Sequence, residues 1–414
     1  MLEQFNNLHT VDLSISRSFD TTSYERLEGL FTDILNSSTL ERLCLSYLQI
    51  RPSNSYMISA NGERQSPLVA ALQGREAGPI GCKALKELSL SYCLLGSMTG
   101  ALLKSVDFER LARLDLWGCD GLRNFMAAIM RTCQGRSLNL THLGLDLLTE
   151  YYPEQNQLLD AFLSLLPKLQ GLRLKWKNPS GRCDPSPIIN NLATIGSTLR
   201  TLSLGIEDKV GGRCCSDTLP HDPFIQICLS CPGLQELTYS VDERSIHSPH
   251  KLGPFLVSNT STIRQTILTI QAAISQLKGL KTLRLIQTFK NDDRDFILLL
   301  GDEAPEFTAT ARTYIFQDAA NYIFNTLSGH ALQALILGPD LVHMGSPDHT
   351  NRSRIDAYTL RHCYMRGVQR DLMGRSTHVG IPVPSYILRH EATTPLMDWH
   401  PVESAASMCR LGDY

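Results

Sequence analysis

The chain has 414 residues, 43% of them hydrophobic, and 39 lysines and arginines stand against 41 aspartates and glutamates for a net charge of −2. That length and hydrophobic content suffice for a large core, while the near-neutral balance gives no reason to expect nucleic acid or an anionic membrane as a general partner. There is no run of about 18 apolar residues and no basic-then-apolar amino terminus, so neither a spanning helix nor a signal peptide is expected.

One six-residue pattern, Leu-x-x-Leu-x-Leu or a near variant, sets the order of the predicted elements. Its ten copies begin at Leu8, Leu40, Leu85, Leu111, Leu140, Leu169, Leu199, Leu234, Leu280 and Leu332. The intervals are 32, 45, 26, 29, 29, 30, 35, 46 and 52 residues, and the four central ones sit at or just beyond the period of a leucine-rich repeat. In LARLDL, Leu114 and Leu116 are two apart and share one face of an extended strand, with Leu111 turning inward at the strand entry. One repeat cannot bury these leucines, so stacked repeats must bury them as a ladder. Each leucine so buried contributes roughly 1.5 to 3 kcal/mol.

Parallel strands need crossovers, and the sequence between the copies reads as helix. Tyr24, Leu27, Phe31, Ile34 and Leu35 form one apolar stripe, and Leu122, Phe125, Met126, Ile129 and Met130 a second. Further stripes run through Leu158, Leu159, Phe162 and Leu166, and through Ile263, Ile267, Ile270, Ile274 and Leu277. Asp184-Pro185 marks a helix start before Ile188–Ile195, and Asp222-Pro223 another before Phe224–Leu229. The expected fold is α/β: a curved leucine-rich-repeat solenoid, or horseshoe, over residues 1–340, with parallel strands on the concave face and helices on the convex face. Residues 341–414 are expected to form a carboxyl-terminal cap and extended tail, with a helix over Ile355–Leu372 and apolar cover from Val383, Tyr386, Ile387, Leu396, Met397 and Trp399. A tail folded back into the groove is the rival expectation.

LSLSYC, with Cys93 three residues after Leu90, and LDLWGC, with Cys119 three after Leu116, resemble the cysteine-containing type of leucine-rich repeat. CPGLQEL from Cys231 and LPKLQGLRL from Leu166 look like the helix-to-strand joints of such proteins. The resemblance covers roughly residues 8 to 340 and points to the repeat region of fungal-type F-box proteins, the substrate receptors of cullin–RING ubiquitin ligases. It implies a non-catalytic protein-binding module and, given an F-box upstream, a Skp1-like adaptor as a further partner. Only MLEQFNN precedes the first repeat, too short for that module, so either an F-box lies upstream or the chain is a stand-alone scaffold or inhibitor. Regulation of a small GTPase would need an exposed functional arginine or asparagine on a rim, and the sequence singles none out.

Alternation places the residues between the leucines on the concave face. The row runs Thr10, Asp12, Ser14; Arg42, Cys44, Ser46; Glu87, Ser89, Ser91; Arg113, Asp115, Trp117; and His142, Gly144, Asp146. It continues Arg173, Lys175, Lys177; Thr201, Ser203; Glu236, Thr238; and Thr282, Arg284. The expected protein-binding residues are Arg42, Arg113, Asp115, Trp117, His142, Asp146, Arg173, Lys175 and Lys177. Trp117 beside Arg113 and Asp115 has the composition of an interface anchor, or else is filler beneath a neighbouring loop. Arg173, Lys175 and Lys177, with Trp176 inward, could receive an acidic segment, although Asp115 and Asp146 offset them and a solvated basic strand is the reading preferred. Insertions at 51–66, 206–219, 241–261 and 286–310 leave directly after strands, as rim loops that either carry partner specificity or are simply tolerated.

No catalytic, cofactor or metal site is expected. Cys228-Leu-Ser-Cys231 has the spacing of a zinc or redox motif but lacks a second pair, and it falls at a helix end where both residues would pack. The six histidines from His343 to His400 form no helical metal pair, and Gly211-Gly212 lacks the lysine of a phosphate loop. Twelve scattered cysteines read as reduced thiols of a cytoplasmic or nuclear monomer.

Overall fold

The computed structural model describes residues 9–16, 34, 39–48, 82, 84–91, 93, 95–147, 153–177, 185–207, 221–241, 271–287, 305–338 and 362–383. The architecture is α/β, with mostly parallel strands separated by helices. The chain forms two compact units, Met1–Leu174 and Lys175–Tyr414.

The first unit carries β1 (Thr10–Ser16), β2 (Arg42–Leu48), β3 (Glu87–Ser91), β4 (Arg113–Trp117) and β5 (His142–Leu147). Strand β6 (Gly171–Lys177) runs across the division. The helices here are α1 (Leu95–Ser105), α2 (Leu122–Cys133) and α3 (Pro153–Ser164). Strands β1 to β5 pair successively and in parallel. Their register lines up two apolar files, Val11–Leu43–Leu88–Leu114–Leu143 and Leu13–Leu45–Leu90–Leu116–Leu145. All of these side chains but Leu13 are buried, which is the ladder anticipated from the motif.

A second regularity belongs to the backbone. Just before each strand, one carbonyl accepts two N–H groups from the next repeat. His9 O receives Glu41 N and Arg42 N at 2.9 and 3.0 Å, Glu41 O receives Lys86 N and Glu87 N, and Lys86 O receives Ala112 N and Arg113 N. Ala112 O and Thr141 O continue the series to Thr141/His142 and Gln170/Gly171. The carbonyl has two lone pairs, and this arrangement uses both.

On the helical side, α1 packs against α2 and α2 against α3. Helix α2 buries Leu122, Phe125, Met126, Ala128, Ile129 and Cys133, the predicted stripe displaced by Met130, which lies half-buried. It starts at Gly121, whose φ of +81° suits glycine and whose absent Cβ would otherwise stand 2.7 Å from the Gly96 nitrogen. Cys93 and Cys119 are buried below the strand ends. Cys119 Sγ donates to Leu90 O at 3.3 Å, one repeat earlier, and Cys93 Sγ donates to Ser91 O at 3.5 Å. The neighbouring Cys119 thiol, and after it burial, pushes the Cys93 thiol well up, so it stays protonated as a donor.

The second unit holds α4 (Ser186–Ile195), β7 (Thr201–Glu207), α5 (His221–Ser230), β8 (Glu236–Val241), β9 (Thr282–Gln287), α6 (Pro305–Thr326) and β10 (Ala334–Gly338). It closes with β11 (His362–Arg370) and β12 (Ser376–Pro382). Strands β7 to β10 are parallel neighbours with files Leu202–Leu237–Leu283–Leu335 and Leu204–Tyr239–Leu285–Leu337. Tyr239 replaces a leucine of the motif, is fully buried and meets Phe224 of α5 edge-on at 4.8 Å. The paired-acceptor carbonyl recurs at Arg200, Gln235 and Lys281. Pro223 lies inside the first turn of α5, so that helix begins at His221, earlier than its Asp-Pro signal indicated.

The helix expected over Ile355–Leu372 is corrected. His362–Arg370 and Ser376–Pro382 are strands: β11 pairs antiparallel with β10, and β12 antiparallel with β11. The outer edge of β10 offers a full row of backbone partners to a strand and none to a helix, which outweighs the weak apolar spacing. Cys363 is buried against Ala334 and Ile336, with Met365 and Val383 packed beside them. Helix α6 lies on this hairpin. Asn321 Oδ1 accepts from Gly380 N at 2.9 Å and Gln317 Nε2 donates to Gly380 O at 2.7 Å. Arg366 clasps the hairpin to the turn after α6, donating to His330 O at 2.6 Å and to Ser328 O.

Of the other expectations, the stripe Tyr24–Leu35 lies outside the described residues except for buried Ile34. The stripe Ile263–Leu277 is described only from 271, where 271–274 are helical. The rim insertions also lie largely outside, although 206–207 and 286–287 finish strands and 305–310 open α6.

Candidate functional site

The residues between the leucines form their own files on β1 to β5. The first is Thr10–Arg42–Glu87–Arg113–His142 and the second Asp12–Cys44–Ser89–Asp115–Gly144. The third contains Ser14–Ser46–Ser91–Trp117. Depth increases along β2 to β5. Arg42 is exposed, Glu87, Arg113 and His142 are half-buried, and Ser46, Ser91 and Trp117 are buried. Alternation predicts which side a residue faces, but not this gradient.

The charged residues of the accessible first file are paired, within the file or with its neighbours. Arg42 Nε lies 3.6 Å from Glu87 Oε2, and beside it Lys86 Nζ meets Glu41 Oε1 at 2.9 Å. Arg113 Nε donates to Asp115 Oδ2 at 2.6 Å. The exposed pairs Arg42–Glu87 and Lys86–Glu41 add little stability, since solvent and side-chain entropy offset them, whereas Asp115 is buried; together the pairs hold alternating charge in a defined order. His142 ends the file, its Nδ1 3.0 Å from Thr141 Oγ1. Burial, and then the charge of Arg113, holds the His142 pKa below its ordinary value.

Deeper in, Gly144 organises the cluster. A Cβ at Gly144 would collide with Asp115 Oδ1 and come within 2.8 Å of Trp117 Cζ2. The glycine therefore leaves the space that Asp115 and Trp117 occupy. Trp117 is only 2% exposed, and the Arg173 guanidinium lies 4.2 Å over its ring, a cation–π stack. Asp146 Oδ2 accepts from the Gly118 N–H at 2.9 Å, tying β5 to the end of β4.

Arg113, Asp115, Trp117, His142, Asp146 and Arg173 thus come together within the first unit, with Arg42 at its accessible edge. Trp117 is placed as a buried platform for Arg173 and not as a protruding anchor. Arg173 and Lys175 are both buried, which replaces the solvated basic strand expected there. The side chain of Lys177 lies outside what is described. Farther along, Thr201, Ser203, Glu236, Thr238, Thr282 and Arg284 are all buried, and the Thr201 and Thr238 hydroxyls have no hydrogen-bond partner among the described residues. Sequence reasoning included Gly144 in the row without seeing its role. Its signal was a glycine directly across from an aspartate that shares a strand face with an arginine.

Cys228 and Cys231 are buried core residues at the end of α5, and burial pushes both thiols up to about 12. Thiols held protonated in this way fit the packing role expected for this pair.

No family model matches the chain, and no curated protein matches it. Among the described residues, no helix is long and apolar enough to cross a membrane.

Proposed function

We propose that the chain is a leucine-rich-repeat solenoid of horseshoe type that binds a protein ligand through its strand face, without catalytic chemistry of its own. The observation that carries this reading is the strict register of β1 to β5. It buries two leucine files and so presents a third, polar file, Arg42–Glu87–Arg113–His142, as a continuous accessible strip. A row of alternating charge in fixed register suits recognition of a polar protein surface, where charge order supplies specificity more than affinity. The cysteines at Cys93 and Cys119, seated in successive repeats, support the resemblance to the repeat region of F-box proteins. On that basis the chain acts as a substrate-receptor-like subunit in the cytoplasm or nucleus.

The test is purification of the tagged chain from its native cells, followed by mass spectrometry of the co-purifying proteins. A Skp1-like adaptor with a cullin is the expected result for a ligase receptor. One other protein without them makes the chain a stand-alone scaffold or inhibitor. A double charge reversal, Arg42→Glu with Arg113→Glu, should release the ligand in either case; an unchanged set of partners would refute the strip as the binding surface.

A further inference from the structure

The hairpin β11–β12 ends in an apolar apex that the described residues leave uncovered. Every residue from Val368 to Thr377 is exposed, and at the apex Leu372 is 106% and Met373 80% exposed. An exposed turn normally carries small or polar residues, because large apolar ones gain nothing there from burial. The turn is also fully occupied with itself. Asp371 Oδ1 accepts from Met373 N and Arg375 N at 2.9 and 2.8 Å, and its Oδ2 accepts from Arg375 Nε at 2.6 Å. Gly374, at φ +76°, supplies the left-handed step. The result is a preorganised tip presenting two bulky apolar side chains, with Val368 on the strand below also 60% exposed.

The charge around the apex is one-sided. Arg370 ends β11 and Arg375 precedes β12, directly beneath the tip on its two strands, and residues 362–383 contain three arginines and a single carboxylate, Asp371. That carboxylate pairs with Arg375 and offsets its charge, which leaves a net charge of +2 over residues 362–383. A chain with net charge −2 thus carries a locally basic projection.

We propose that this hairpin is a contact for an anionic lipid surface. Leu372 and Met373 enter the boundary of the acyl chains, while Arg370, together with Arg375 in its pair with Asp371, remains at the level of the lipid phosphates. Three observations favour lipid over a protein socket. The apex is convex, and a fluid surface accommodates a protruding tip without a preformed pocket. It lacks the tryptophan and tyrosine that dominate protein hot spots. Addition of a partner strand is opposed along the inner part of β12, where Gly380 is already bonded by Asn321 and Gln317 and Pro382 has no N–H to offer. The base of the hairpin is meanwhile anchored by Arg366 and α6, so the tip is presented rigidly. The absence of a global basic charge does not bear on this, because surface attraction decays within a Debye length and only the local arginines count.

The experiment is co-sedimentation of the full chain with phosphatidylcholine vesicles prepared with and without phosphatidylserine. The chain should pellet with the phosphatidylserine vesicles and be released by high salt. Leu372→Ser combined with Met373→Ser should abolish pelleting, and Arg370→Glu should weaken it roughly tenfold or more. All three side chains are exposed, so an unchanged thermal melt verifies that each variant is folded. In Met373→Trp, the emission added by the new tryptophan should shift to the blue on mixing with phosphatidylserine vesicles. Failure of the wild-type chain to pellet with either vesicle, or pelleting that ignores the tip substitutions, overturns the proposal. So does tip-dependent capture of a protein without vesicle binding, which would assign the apex to a protein socket.

Discussion

At the scale of single residues, Gly144 shows how a missing side chain can do structural work. Asp115 and Trp117 lean into the space above it, and the Arg173 stack depends on that placement. Gly144→Ala should displace both side chains and cost about 1 to 3 kcal/mol, as overpacking does; a denaturant titration of the purified variant measures this. His142 gives a pH dependence. Its folded-state pKa lies below the ordinary 6.5, so above that value its neutral form contributes its full stabilisation. As the pH drops from 6.5 toward the folded-state value, the unfolded chain takes up the proton first and that stability is lost. The wild-type stability should therefore decline over this window, and His142→Gln should flatten the decline; identical pH profiles would contradict the assignment. The sequence revealed which side of the strand these residues face. It did not reveal their depth, because burial of Trp117, Asp146 and Arg173 depends on neighbouring strands and not on local alternation.

At the scale of elements, strands that carry the leucine motif and helices with full apolar stripes were legible in advance. Helix α2 was read from Leu122, Phe125, Met126, Ile129 and Met130, of which all but the half-buried Met130 are buried. The hairpin β11–β12 was not, because its pattern is set by a partner. Cys363 and Tyr364 are buried in succession against different layers, so the segment shows neither clean alternation nor a helical stripe. Its attachment turns on Gly380, where an added Cβ would stand 2.9 Å from the Ala320 Cβ and 3.3 Å from the Tyr364 ring. Gly380→Val should push α6 away and break the bonds from Asn321 and Gln317. Amide exchange should then accelerate across β11 and β12 while remaining unchanged in β2 to β5. Acceleration throughout the chain would show that the hairpin is not a separate cooperative element.

At the scale of the whole molecule, stability is distributed through nearest neighbours, so the position of a lesion decides how far it spreads. Leu114 sits mid-ladder, between Leu88 and Leu143. Leu114→Asp buries an unpaired charge and should cost about 4 kcal/mol or more. Limited proteolysis should then cut within the first unit while the second retains protection; uniform loss of protection would mean that the two units unfold as one.

The paired-acceptor carbonyls carry a consequence for how such a chain can diversify. At His9, Glu41, Lys86, Ala112 and Thr141, register is set by main-chain atoms at the mouth of each strand. The identity of the side chain there is nearly irrelevant to the joint, so histidine, glutamate, lysine, alanine and threonine all occupy it, and at Thr141 the hydroxyl adds its own bond to Ala112 O at 3.0 Å. The chain length between strands is equally irrelevant. Motif intervals range from 26 to 52 residues, yet the described strands meet their neighbours in the same alignment. Each repeat is joined to the next along its strand, beginning at this carbonyl, and is free to acquire new sequence between strands without disturbing that register.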